Sequence, residues 1–119
     1  MPHLTVTSSP DMLEAVPPHI LLPRLAAALE TLEVYTLENL RSHVDCGESF
    51  TPSGKPFIHM TLEVKKRPPE LRSATAETLL KALEAILCEH GNGRPCLCSA
   101  NVRNLDETYL SGELPSSSS

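Results

Sequence analysis

Pro2-His3-Leu4-Thr5-Val6 is echoed by Ile58-His59-Met60-Thr61-Leu62, a His, apolar, Thr, apolar pattern that returns 56 residues on, from His3 to His59. Both stretches alternate apolar with polar residues, the first over His3 to Ser8, the period of a strand with one buried face. The flanking sequence repeats as well. After the first stretch, Ser9-Pro10-Asp11 supplies helix-start chemistry, and Leu21, Leu25, Ala28, Leu29 and Leu32 recur at helical spacing. Pro17-Pro18 and Pro23 are expected to fix or kink the early turns of that single helix. A second strand is predicted over Asn39 to Cys46, with Leu40, Ser42, Val44 and Cys46 on one face and Arg41, His43 and Asp45 on the other.

The second half follows the same order. Gly47 to Pro56 holds two Gly and two Pro among Ser and Thr, so it reads as a loop. Phe57 to Val64 alternates, with Ile58, Met60, Leu62 and Val64 apolar. Pro68-Pro69 opens a long helix carrying Leu71, Leu79, Leu83 and Ile86, and Gly91-Asn92-Gly93 stops it. Pro95 to Arg103 alternates again and predicts a fourth strand.

Strand, helix, strand therefore occurs twice, in units 2–46 and 57–103. Parallel strands joined by a helix take a right-handed crossover. Two such units side by side give an α+β fold, a four-stranded sheet with two helices on one face. The other face carries Arg, His, Thr and Glu, and packing against copies of the same chain would seal it. At 119 residues the chain reads as one domain over 1–110, followed by a serine-rich tail over 111–119 expected to be disordered.

Composition narrows the functional classes. A net charge of -5 opposes a phosphate backbone, and 3% aromatic residues with no Trp leave few platforms for stacking bases, so nucleic acid is not an expected partner. No apolar run reaches a membrane span of ~20 residues, and the N-terminus lacks an export signal, so a cytoplasmic location is expected. The four cysteines, Cys46, Cys88, Cys96 and Cys98, are then reduced by default. Cys88-Glu89-His90 and Cys96-Leu97-Cys98 offer possible zinc ligands, but the one-residue spacings are not those of structural zinc knuckles. The simpler reading places Cys96 and Cys98 as small hydrophobes on one strand face.

Position 2 has chemistry of its own. With Met1 attached, the Pro2 nitrogen is a tertiary amide without a basic lone pair. With Met1 removed it is a secondary amine. A free α-amino group titrates near pH ~8, and burial or a nearby arginine lowers that value toward the range suited to a general base.

Three separated stretches, Met1-Pro2-His3, Leu40-Arg41-Ser42-His43-Val44 and Phe57-Ile58-His59-Met60-Thr61-Leu62, resemble the 5-carboxymethyl-2-hydroxymuconate delta-isomerase family of the tautomerase superfamily. The resemblance extends over about residues 2 to 110. It implies duplicated β-α-β units assembled as a homotrimer, an N-terminal proline as base, and a small carboxylated enol as substrate, with no metal or organic cofactor. It implies an aromatic-catabolism isomerase that moves a proton along a 2-hydroxymuconate-type dienol. Tautomerisation of another small enol acid, such as phenylpyruvate, or a non-catalytic trimeric binding protein are the alternatives.

Carried over to this chain, the resemblance makes Pro2 the base and Arg41 and Arg67 the catalytic and carboxylate-binding arginines. A guanidinium offers a planar fork to a carboxylate and stabilises an enolate oxygen. Read from residues alone, Arg41 is equally a solvated strand arginine. The segment Lys65-Lys66-Arg67-Pro68-Pro69 is shorter and stiffer than the family's glycine-rich stretch, so Arg72 stands beside Arg67 as second arginine. Four cations there, Lys65, Lys66, Arg67 and Arg72, suit a substrate with several carboxylates. No aromatic specificity wall is evident.

Overall fold

Where the sequence alternates, the chain is extended, and where apolar residues recur every three or four positions, it is helical. The computed structural model describes residues 2–47, 51–91, 93, 95–106, 108, 110, 112 and 114–115. Met1 and residues 116–119, which bear on the expectations of Met1 removal and a disordered tail, lie outside these, as does Asn92 of the helix-stop triplet. The order is β1 (His3–Ser8), α1 (Pro10–Ala15), α2 (Pro18–Glu30), β2 (Arg41–Asp45), β3 (Phe57–Val64), α3 (Pro69–His90) and β4 (Leu97–Asn104). The strands form one sheet in the order β2-β1-β3-β4. β1 pairs parallel with β2, β3 pairs parallel with β4, and β1 runs antiparallel to β3.

The 56-residue offset has a geometric counterpart. It sends Thr5 to Thr61, and Thr5 and Thr61 face each other in the antiparallel ladder. An approximate two-fold axis therefore passes between them, with one β-α-β unit on either side.

The helical layer covers one face of the sheet. Leu4 and Val6 of β1 and Ile58, Met60, Leu62 and Val64 of β3 meet Leu21, Leu25 and Leu29 of α2 and Leu79, Leu83 and Ile86 of α3, all essentially without solvent exposure. Emptying such a position, for example by Leu25→Ala, costs about 2–5 kcal/mol. The opposite face is polar. Across it run the rows Arg41, His3, Glu63, Arg103, then His43, Thr5, Thr61, Asn101, then Asp45, Thr7, His59, Ser99.

The boundaries differ from the sequence reading in three places. The single helix expected after β1 is two, because Pro17 is extended (φ -66°, ψ 158°) and Pro18 begins α2. A residue before proline is pushed out of the helical region, and Val16 accordingly leaves it. Pro23 stays within α2 on an exposed side, at the loss of one internal hydrogen bond. β2 begins at Arg41 rather than Asn39, because Leu37–Asn39 forms a 3-10 turn closed by the Leu40 N–H on the Leu37 carbonyl at 2.9 Å. β4 spans Leu97 to Asn104 rather than Pro95 to Arg103.

Helix α3 stops at Gly91, whose N–H reaches the Leu87 carbonyl at 2.7 Å. A Cβ at Gly91 would lie 2.6 Å from the Leu87 oxygen, closer than any side chain tolerates. None of the described helices is long and apolar enough to cross a membrane.

Candidate active site

Pro2 is buried at the entry to β1, where the antiparallel neighbour β3 ends. Its carbonyl accepts the Arg41 N–H at 3.1 Å, which fixes the start of β1 against the start of β2. Beside it lies a cavity of about 130 Å³ lined by Pro2, Tyr35, Thr36, Asn39, Val64, Lys65 and Arg67. Two chain segments build its walls: the link from α2 into β2, and the exit of β3.

The β3 exit is held tightly. The Arg67 N–H donates to Asn104 Oδ1 at 2.9 Å, tying it to the end of β4, and Arg72 Nε donates to the Arg67 carbonyl at 3.2 Å. Pro68 and Pro69 then set the first turn of α3. The short, stiff segment is thus braced on both sides, and its guanidinium is aimed rather than free. The Arg67 guanidinium lies over the Tyr35 ring, 5.9 Å from its centroid, and donates to the Val34 and Lys66 carbonyls at 3.4 Å each.

The link from α2 reaches the cavity through a sharp turn. Glu33 adopts φ 58°, a left-handed conformation that a non-glycine residue occupies at a cost, and the chain reverses there. Val34, Tyr35 and Thr36 follow directly.

Of the residues singled out in the sequence, the structure brings Pro2 and Arg67 together around one cavity, with Lys65 beside them. Arg72 does not line it and acts on the backbone of Arg67 instead. Arg41 is joined to Pro2 through its backbone, but its side chain is exposed on the polar face of the edge strand β2, in register with His3. Tyr35, Thr36 and Asn39 escaped the sequence reading, and Tyr35 puts an aromatic ring where none was evident. The available signal was a tyrosine, in a chain with two Tyr and two Phe, immediately ahead of the Arg41 strand.

The cysteines lie elsewhere. Cys88, Cys96 and Cys98 line an apolar groove of about 600 Å³ between α3 and β4 with Leu80 and Leu87. Burial pushes the Cys96 thiol up to about 12 and raises Cys98 as well, so both stay protonated at neutral pH. Among the described residues, no three His, Cys, Asp or Glu side chains are placed to hold a metal ion.

The architecture has solved counterparts. A 5-carboxymethyl-2-hydroxymuconate delta-isomerase superposes with a TM-score of 0.81 at 16% identity, over 95% of this chain and 88% of that one. This chain shares that fold. A 5-carboxymethyl-2-hydroxymuconate isomerase from Deinococcus radiodurans R1 gives a TM-score of 0.76 at 21% identity, over 94% of this chain and 88% of the other. A fused 4-OT symmetric trimer gives 0.66 at 18% identity, over 92% and 90%. At these identities the likeness is one of fold. No protein-family model matches the sequence, and no match is found among curated proteins.

Proposed function

We propose that this chain is a cofactor-independent isomerase of the tautomerase type, moving a proton along a conjugated, carboxylated enol such as a 2-hydroxymuconate-type dienol. The observation that carries this reading is the shared cavity of Pro2, Lys65 and Arg67. It joins the one position that can become an N-terminal secondary amine to two cations in a chain of net charge -5.

In this mechanism Pro2, with Met1 removed, takes a proton from one end of the conjugated system and returns it at another carbon. Arg67 and Lys65 bind the carboxylate and offset negative charge on the dienolate oxygen as it develops. Burial of Pro2 and the adjacent cations favour the neutral amine, which is the reactive form. Arg41 points away from this cavity within its own copy, so its proposed part as a second carboxylate-binding arginine belongs to an assembly. The polar sheet face, with Arg41 and Arg103 against Asp45 and Glu63, has the balanced charge that lets copies pack together, and we propose a homotrimer.

The test is an ultraviolet assay of purified protein, processed at Pro2, against a 2-hydroxymuconate-type dienol and phenylenolpyruvate. Faster turnover of the dienol is the expected result. Preference for phenylenolpyruvate would reassign the substrate, and failure with both would leave a binding protein on an enzyme fold.

A further inference from the structure

We infer that Tyr35 is the positioning residue of this site: its ring is the platform that holds the Arg67 guanidinium open toward a carboxylate ligand. The inference rests on the reading of the Pro2 cavity as the substrate site, and it adds the device that makes Arg67 usable there.

Arg24 and Arg103 each reach a glutamate, whereas among the described residues no carboxylate lies within ion-pairing distance of Arg67, nor of Arg41 or Arg72. The Arg67 guanidinium meets the Tyr35 ring face and two backbone carbonyls at 3.4 Å. Cation–π attraction fixes the guanidinium without neutralising it, and two N–H donations leave three of its five donors available. A ring partner thus orients the fork and leaves its charge for an anion.

The ring is itself anchored. Thr75, fully buried on α3, donates its one hydroxyl proton to the Leu71 carbonyl at 2.8 Å. Its oxygen therefore serves as acceptor for the Tyr35 hydroxyl at 2.6 Å. A line of contacts runs from the α3 interior through Thr75 and Tyr35 to Arg67, and the backbone of Arg67 is pinned separately by Asn104 and Arg72. Both ends of the Arg67 side chain are held, and a preorganised donor loses less on binding.

The experiment titrates adipate, an unreactive dicarboxylate, into the full-length protein by calorimetry, with thermal melting as the check on folding. Tyr35→Leu removes the platform and is expected to weaken adipate binding about 5- to 10-fold. Tyr35→Phe keeps the ring but releases it from Thr75, and is expected to recover most of that loss, leaving about a 2- to 3-fold deficit. In turnover with the dienol, Tyr35→Leu should raise KM, while the pH profile of kcat, which reports the proline, stays in place. Equal adipate affinity in wild type and Tyr35→Leu would overturn the inference, as would the absence of saturable adipate binding to wild type. Should Tyr35→Leu fail to fold, Tyr35→Phe decides, and unchanged affinity in that variant overturns the Thr75 anchor. Adipate binding that responds to Tyr35 in a protein that turns over no dienol would keep the inference and remove the isomerase reading.

Discussion

The two β-α-β units each carry a hollow at opposite ends of the β1-β3 ladder, and their linings differ in kind. At one end Pro2 meets Lys65 and Arg67. The 56-residue offset sends these to Ile58, Ser9 and Asp11, and Ser9 and Asp11 line the hollow at the other end with Pro10, Lys55, Pro56 and Phe57. The offset relates two of the lining positions but neither the size nor the chemistry, since the first hollow measures about 130 Å³ and the second about 460 Å³. The Ile58 nitrogen is an amide, whereas the proposed mechanism has the Pro2 nitrogen freed as an amine by removal of Met1. Where the first hollow presents Arg67, the second presents Asp11, which repels a carboxylate. The proposed mechanism needs a basic amine, and of the two hollows only that of Pro2 is proposed to offer one.

The largest effect expected from this asymmetry concerns the nitrogen of Pro2. A non-removable N-terminal extension converts it to an amide, and activity should fall by on the order of the 10²- to 10⁴-fold that a general base contributes, or more. Thermal stability should hardly change. Intact mass identifies the species assayed, and full turnover by a chain retaining Met1 would break the comparison, because a free amine would then not be what separates the two hollows.

The paired positions Arg67 and Asp11 give the next effect. Arg67→Ala should lower kcat/KM by on the order of 10²- to 10³-fold, the scale of a lost transition-state donor. Asp11→Asn, at the equivalent place, should leave kcat/KM unchanged. Arg41→Ala should reduce kcat/KM on the Arg67 scale only when copies assemble, with little change in melting. Loss of activity in Asp11→Asn would mean that the second hollow takes part.

How much of this was legible beforehand follows the same division. Strands β1 and β3 could be read to the residue, because six and eight alternating positions assign each side chain a face and a one-residue slip would expose Leu4, Val6, Met60 and Leu62. The α1 to α2 break was not, since Pro17-Pro18 was equally compatible with a kinked helix and with two. Pro2 and Arg67 could be named from the resemblance, and the cation cluster supported Arg67. Tyr35 could not, because its place depends on the reversal at Glu33, a left-handed turn that no glycine or asparagine announces. Nor could it be read which of Arg67 and Arg72 lines the cavity, because this depends on the Arg67 N–H donated to Asn104 Oδ1 and on the Arg72 Nε–H donated to the Arg67 carbonyl.

Helix ends extend the contrast from chemistry to stability. Unit two closes α3 on Gly91, where a Cβ would meet the Leu87 oxygen at 2.6 Å. Unit one closes α2 without glycine, on Thr31 in ordinary helical conformation with its hydroxyl on the Ala28 carbonyl at 2.6 Å. Gly91→Ala should therefore destabilise by about 1–3 kcal/mol, the cost of forcing an atom into occupied space. Thr31→Ala should cost less than about 1 kcal/mol. Chemical denaturation separates the two, and an equal response would show that the end of α3 shifts freely.

The smallest effect tests an ion pair that bridges the helices of the two units. Arg24 on α2 hydrogen-bonds and pairs with Glu89 on α3. That guanidinium, ahead of the neighbouring His90, holds the Glu89 carboxyl below its ordinary value of 4.5. A carboxyl whose folded value lies below its unfolded one stabilises the fold above the unfolded value, and the contribution disappears as pH falls through the folded value. Glu89→Gln should therefore melt slightly below wild type at pH 7, and the two should converge as acid protonates Glu89. Because both partners face solvent, the gap should also shrink with added salt. A gap that persists in acid and in high salt would assign the difference to packing of the Glu89 side chain between the units, and the junction of α2 with α3 would then owe nothing to charge.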